Sequence, residues 1–118
     1  MILTSGQVYF DLDDERTKLK RNDVAIIRLE SFCPFPFKEI INELKQYPNA
    51  SVTWAQEEPK NAGGWSYAQP RLRNIQAHLG KKMTKIEYAG RPIMAAAAVG
   101  FGQMHTKQLS NLLRDAFK

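Results

Sequence analysis

Val52-Thr53-Trp54-Ala55-Gln56-Glu57-Glu58-Pro59-Lys60-Asn61-Ala62-Gly63-Gly64-Trp65 runs from apolar alternation into a polar corner and out to an aromatic residue. Val52 and Trp54 repeat at period two, which predicts a strand over residues 52–55. Downstream, Leu72, Ile75 and Leu79 recur at helical spacing, with Pro70 suited to that helix's first turn and Gly80 to its end. Between the two lie a carboxylate pair set against a proline, then a glycine pair and Trp65, which predict a loop over residues 56–64 that meets a partner surface. Strand, loop, helix is one half of a parallel α/β unit, and the question is whether the rest of the chain repeats it.

It does. Residues 2–4 are a short apolar start, and Ser5-Gly6 opens a helix that carries Val8, Leu12 and Leu19 on one side. Residues 24–29 are nearly continuous apolar, as in a strand covered on both faces. Cys33-Pro34-Phe35-Pro36 breaks the chain, and Phe37, Ile40, Ile41 and Leu44 then follow a helical period until Tyr47-Pro48-Asn49 stops them. Residues 85–89 read as a fourth strand bounded by Gly90-Arg91-Pro92. The small-residue run 95–98, with Gly100 and Gly102, reads as a connection, and a last helix over 106–117 buries Leu109, Leu112, Leu113 and Ala116. Four alternations predict a three-layer α/β/α domain with a mostly parallel sheet. In such sheets ligand sites gather beyond the carboxyl ends of the strands. Parallel strands would bring Glu30, Glu57, Glu58, Arg91 and His105 to one edge.

Composition sets the outer limits. A chain of 118 residues makes one domain, burying roughly two-thirds of the surface its unfolded chain exposes. No apolar stretch approaches the ~20 residues of a membrane span, and the start lacks the pattern of a targeting peptide. The formal charge of +5 is spread along the chain. Its densest cluster, Arg16, Lys18, Lys20 and Arg21, follows Asp13-Asp14-Glu15 and reads as a solvated helix face. Aromatic residues are not interleaved with the basic ones as stacking platforms would be, so nucleic acid is not an expected partner. The single cysteine, Cys33, excludes a disulfide framework and reads as a packed small hydrophobe.

Candidate chemistry is sparse. Glu57 and Glu58 are adjacent and point apart on extended backbone, which suits a loop-fixing acceptor and an interface ion pair better than an acid–base couple. His78 reads as a surface or helix-end residue, and His105 sits just ahead of the last helix. Neither has partners at metal-ligand spacing. Ser5 and Gly6 after a strand can present amides to an anion, although an ordinary helix cap accounts for them as well. No nucleophile elbow, phosphate loop or dinucleotide fingerprint occurs, so the residues form no complete active site.

Several segments, in order, resemble the thiamine-dependent first component of 2-oxoglutarate dehydrogenase near its C-terminus. Ser5-Gly6-Gln7-Val8-Tyr9-Phe10-Asp11-Leu12 is similar to that family's Ser/Thr-Gly-Lys-Val-Tyr-Tyr-Asp-Leu, with Gln7 where a lysine is usual. Residues 23–30 resemble its Asp-Val-Ala-Ile-x-Arg-x-Glu strand, Pro34-Phe35-Pro36 its Pro-Phe-Pro turn, and Gln56-Glu57-Glu58-Pro59-x-Asn61 its Gln-Glu-Glu-Pro-x-Asn loop. Pro70-Arg71-Leu72-Arg73, Tyr88-Ala89-Gly90-Arg91, Ala98-Val99-Gly100 and His105 continue the match over essentially the whole chain.

The resemblance implies a transketolase C-terminal-type domain, part of a mixed five-stranded sheet whose antiparallel edge strand precedes this segment. It implies that thiamine diphosphate and magnesium bind on other domains of a longer chain. None of the family's catalytic or cofactor residues maps onto this segment. The implied partners are the remaining domains of the same chain, a second copy in a homodimer, and a lipoyl-bearing succinyltransferase, in the mitochondrial matrix or a bacterial cytoplasm. Arg91 is the expected phosphate or effector anchor, because a guanidinium suits bidentate recognition. Gln56, Ser5 and Gly6 would assist, and Glu57, Glu58, Pro59 and Trp65 would face a neighbouring domain. A 2-oxoadipate enzyme and a free-standing ligand- or protein-binding module of the same fold are the alternatives.

Overall fold

A computed structural model describes residues 1–82, 84–95 and 102–118, with the side chains of 102–104 left aside. Among the described residues four strands and four helices alternate: β1 (Ile2–Thr4), α1 (Val8–Leu19), β2 (Ile26–Arg28), α2 (Phe37–Gln46), β3 (Val52–Pro59), α3 (Trp65–His78), β4 (Ile86–Arg91) and α4 (Gly102–Ala116). The strands form one sheet in the order β2-β1-β3-β4, and every pairing is parallel. The strand order reverses between β1 and β3, and there the Thr4 hydroxyl donates 2.8 Å to the Ala55 carbonyl in full burial.

Period two assigns the faces. Leu3, Val52, Trp54 and Ile86 point into a core completed by Ile40 and Leu44 of α2 and Ala68, Leu72 and Ile75 of α3. Their alternates Ile2, Ala55 and Ala89 meet Val8 and Leu12 of α1 and Leu112 and Ala116 of α4. Each large aliphatic side chain so buried contributes about 1.5–3 kcal/mol. Alanines beneath α4 let that helix lie close to β3 and β4, while Trp54 fills the wider space under α3.

The structure moves several expected boundaries. β2 spans only Ile26–Arg28 within the apolar run 24–29. Residues 56–59, expected as loop, continue β3 as far as Pro59. Arg91 is the last residue of β4 rather than the start of a connection. Helix α3 begins at Trp65, five residues ahead of Pro70, which sits inside the helix on its exposed side. The ring removes one backbone donor, and the helix nevertheless runs through it to His78. Gly80 closes α3 as expected: at φ +73° it places its own N–H on Ala77 O and that of Lys81 on Gln76 O. Leu19 is not part of the core but 48% exposed, and Cys33 is exposed rather than packed. Gln7, not Ser5, occupies the cap position of α1, with no side-chain cap bond. The connection expected over 95–102 lies mostly outside the described residues, except that Gly102 already belongs to α4 and His105 falls inside that helix.

Candidate functional site

Beyond the carboxyl ends of β3 and β4, the chain is organised by one buried carboxamide. Gln56 is 1% exposed. Its Oε1 accepts from Trp54 Nε1 at 2.9 Å and from the Trp65 backbone N–H at 2.8 Å. Its Nε2 donates to the carbonyls of Pro59 at 2.8 Å, Ala62 at 2.9 Å and Glu58 at 3.2 Å. Gln56 therefore caps α3 from nine residues upstream and holds the turn that leads into it, which explains why α3 starts at Trp65. A buried amide that satisfies several donors and carbonyls at once is costly to remove.

The glycine pair completes that turn by closeness. Gly63 adopts φ +63°, and a Cβ there would stand 2.7 Å from Glu58 Oε2. At Gly64 a Cβ would stand 2.8 Å from Trp54 Cζ2 and 2.9 Å from Phe32 Cζ. The helix start is thus pressed directly onto the rings of the core.

Arg91, 7% exposed, donates from Nε to Glu57 O at 2.8 Å and from Nη1 to Gln108 Oε1 at 3.3 Å. It joins the ends of β3 and β4 to α4. With Glu57, His105, Gln108, Leu109 and Leu112 it lines a cleft enclosing only about 10 Å³. Tyr88 donates to Arg91 O at 2.7 Å, and burial pushes its phenol up to about 12. Lys60 lies 5.5 Å from the Trp65 ring centre and 5.2 Å from that of Tyr88, whose rings meet edge to face at 5.0 Å. Asn61 binds the backbone of Met94 reciprocally, donating to its carbonyl at 2.8 Å and accepting its amide at 3.1 Å.

The structure thus brings Gln56, Glu57, Glu58, Pro59, Trp65 and Arg91 together around the β3–β4 end. Glu57 and Glu58 are exposed there and Pro59 is buried. Ser5 and Gly6 share this edge of the sheet but follow β1, with β3 standing between them and the strand that carries Arg91. Glu30 follows β2, farther still. Tyr88, Lys60 and Gln108 had no role in the sequence reading. Alternation along β4 was the signal available for Tyr88, and the motif position of Asn61 was the signal for its clamp on Met94.

A crown of apolar side chains marks the same edge. Phe10 (47% exposed), Phe37 (42%), Tyr67 (37%) and Ile93 (71%) each follow a different strand, in or just ahead of the first turn of the next helix or in the segment after β4. Phe35 packs edge to face against Phe37 at 4.9 Å and against Tyr67 at 6.0 Å, linking surface rings to the core. Arg28 stands 5.4 Å from the Phe10 ring, and Arg71 stands 3.5 Å from that of Tyr67. Among the described residues no three His, Cys, Asp or Glu side chains form a group that could hold a metal ion. Among them, too, no helix is long and apolar enough to cross a membrane.

Comparison with known proteins places the chain. Residues 1–117 match the family described as 2-oxoglutarate dehydrogenase C-terminal. Proteins named 2-oxoglutarate dehydrogenase E1 component from Brucella anthropi, Brucella ovis and Brucella canis are each 45% identical over 116 residues, 98% of this chain. The chain spans 12% of the length of each of these relatives. It belongs to the 2-oxoglutarate dehydrogenase C-terminal family.

Proposed function

We propose that this domain works as the docking and regulatory end of a 2-oxoglutarate dehydrogenase first component. The whole chain would decarboxylate 2-oxoglutarate with thiamine diphosphate and magnesium held on its other domains. It would then pass the succinyl group to the lipoyl arm of a succinyltransferase, within the citric acid cycle. The relatives' names support 2-oxoglutarate over 2-oxoadipate, and their bacterial sources support a cytoplasmic setting and give the mitochondrial matrix none. The observation that carries the docking reading is the crown of Phe10, Phe37, Tyr67 and Ile93 at the carboxyl edge. Exposed apolar groups gathered on one side of a domain mark a surface that another surface covers. Here that cover is the rest of the same chain and, in the homodimer, a second copy. Trp65, Glu57 and Glu58 lie at the border of this surface.

In the full-length chain, Phe10→Ser with Ile93→Ser is expected to shift the domain's own stability by no more than ~0.5 kcal/mol, as surface changes do. The same pair should lower the dimeric fraction in sedimentation and lower turnover with it. A dimer and turnover identical to those of the unaltered enzyme would discard the docking reading.

One arrangement supports a second role. Arg91 from the end of β4 and His105 from α4 both line the small cleft beside Gln108. The phosphate of an anionic effector, a nucleotide or coenzyme A, would dock at the mouth of this cleft and exchange with the 3.3 Å contact between Arg91 and Gln108, with Gln56 acting through the shape of the loop. Ser5 and Gly6 would supply amides only to a ligand long enough to cross β3. Arg91→Lys keeps the charge and loses the fork, so the full enzyme's activation by coenzyme A should weaken by roughly tenfold. Undiminished activation would remove Arg91 from this role.

A further inference from the structure

A broad cleft lies at the opposite end of the sheet from the Gln56 turn and Arg91. A cleft of about 670 Å³ opens between the ends of α2 and α3 and the start of β4. That volume falls within the ~300–1,000 Å³ usual for small-molecule sites. Leu44 and Leu79 form apolar walls, and Lys45, Lys81, Lys82 and Lys85 stand around it with Glu87 as the one carboxylate. Lys81 is fixed by donating to Pro48 O at 2.7 Å, and Lys85 pairs with Glu87 at 3.2 Å. Arg73 lines an adjoining hollow that shares Lys82 and Lys85, extending the basic wall.

The side of the cleft formed by α3 holds an anomaly. Gln76 lies on the buried face of that helix with Leu72 and Ile75 and is only 2% exposed. Its Oε1 meets no donor among the described residues. A leucine there would bury at no polar cost, whereas an unsatisfied carbonyl of this kind is destabilising. The last torsion of a glutamine is soft, so its oxygen can turn toward a donor that enters the cleft. A basic rim over apolar walls also concentrates anions, because low-dielectric walls focus the field.

We propose that this amino-edge cleft binds a small organic anion, a phosphate or carboxylate on an apolar ring that also carries an N–H or O–H donor. The lysines hold the charged head, Leu44 and Leu79 take the ring, and Gln76 accepts from the donor. Calorimetric titration of the full-length chain with 4-aminophenyl phosphate, phenyl phosphate and inorganic phosphate tests each contact. Phenyl phosphate should bind ~tenfold more tightly than inorganic phosphate through ring burial. The amine should add a further ~fivefold through one hydrogen bond.

Lys45→Glu with Lys82→Glu, both exposed and outside the core, should weaken all three probes by ~tenfold or more. Gln76→Leu should abolish the preference for the amine and leave phenyl phosphate bound. Arg91→Ala removes only binding at the effector cleft, so the ring and amine preferences should survive it, which separates the two sites. Equal binding of phosphate and phenyl phosphate would reduce the cleft to diffuse surface charge and overturn the proposal. So would binding that survives the double reversal, or an amine preference that is absent or outlasts Gln76→Leu.

Discussion

At the carboxyl end of the sheet Phe10, Phe37, Tyr67 and Ile93 stand exposed above a turn locked by Gln56, whereas at the amino end Lys45, Lys81, Lys82 and Lys85 ring an open cleft. Helices α2 and α3 contribute to both ends, and their polarity accounts for part of the contrast. Helix carboxyl termini favour cations, which suits Lys45 in the last turn of α2 and Lys81 just past α3. Lys82 and Lys85 lie beyond those termini and have no such explanation. The carboxyl end is mixed: Asp11 and Glu39 in the first turns of α1 and α2 follow helix polarity, Glu57 and Glu58 are exposed beside them, and the rings stand among these anions without such an explanation. One end is finished tightly and carries four of the exposed apolar side chains, and the other is hollow and charged, with only Leu19 and Tyr47 exposed at the helix ends there. A rigid apolar edge suits permanent attachment, and an open basic one suits something that comes and goes.

The sharpest way to break this contrast is to take away the lock. Gln56→Leu strands Trp54 Nε1, the Trp65 N–H and three carbonyls, and should lower unfolding stability by about 4 kcal/mol in a denaturant titration. A loss under about 1 kcal/mol would mean that water replaces the amide and that the edge is not rigid. Gly64→Ala comes next. Its methyl would meet the rings of buried Trp54 and partly buried Phe32 at under 3 Å, and overpacking of this kind removes about 2 kcal/mol. Gly80→Ala has open space around it and only the strain of φ +73° to bear, so it should cost less. Because Gly64 at φ −90° carries no such strain, a loss there no larger than at Gly80 would show that the rings give way and that their contact does not govern the carboxyl edge.

The smallest effect concerns alkali. Burial favours the neutral phenol of Tyr88 and raises its ionisation from 10.0 to about 12. The unfolded chain therefore releases this proton first, so stability is retained below pH 10 and falls as the pH rises from 10 to about 12. A tyrosinate absorbance titration should show one late tyrosine, and Tyr88→Phe should remove both that step and its share of the alkaline loss.

Much of this was legible in the residues. Alternating Val52 and Trp54, the continuous run 24–29 and the spacing of Ile40 and Leu44 gave the element order, and hence the edge on which Glu57, Arg91 and His105 meet. The failures share a cause. Gln56 and the carboxylates after it have the composition of a loop, yet they extend β3, because the side-chain partners that make this possible are carbonyls from the turn itself. Burial of a glutamine depends on where those carbonyls arrive, and no period reports that. Pro70 was read as a start signal when its helix had already been opened from Gln56. Leu19 has the period of a core residue but lies at the end of α1, beyond the reach of α4's apolar stripe. The glycine pair reads as slack in sequence, and only the rings pressed against it reveal a fit.

That fit leaves the loop with a built-in optical gauge. The chain has two tryptophans, and both hydrogen-bond to the same oxygen, Gln56 Oε1, one through its indole and the other through its backbone. Trp54 is wholly shielded from solvent, while Trp65 is half-buried beneath the ammonium of Lys60. An indole shut away from water emits to the blue of one that meets solvent. Loosening of the turn alone should therefore alter the Trp65 component first, and the Trp54 component should redden only when the core itself opens.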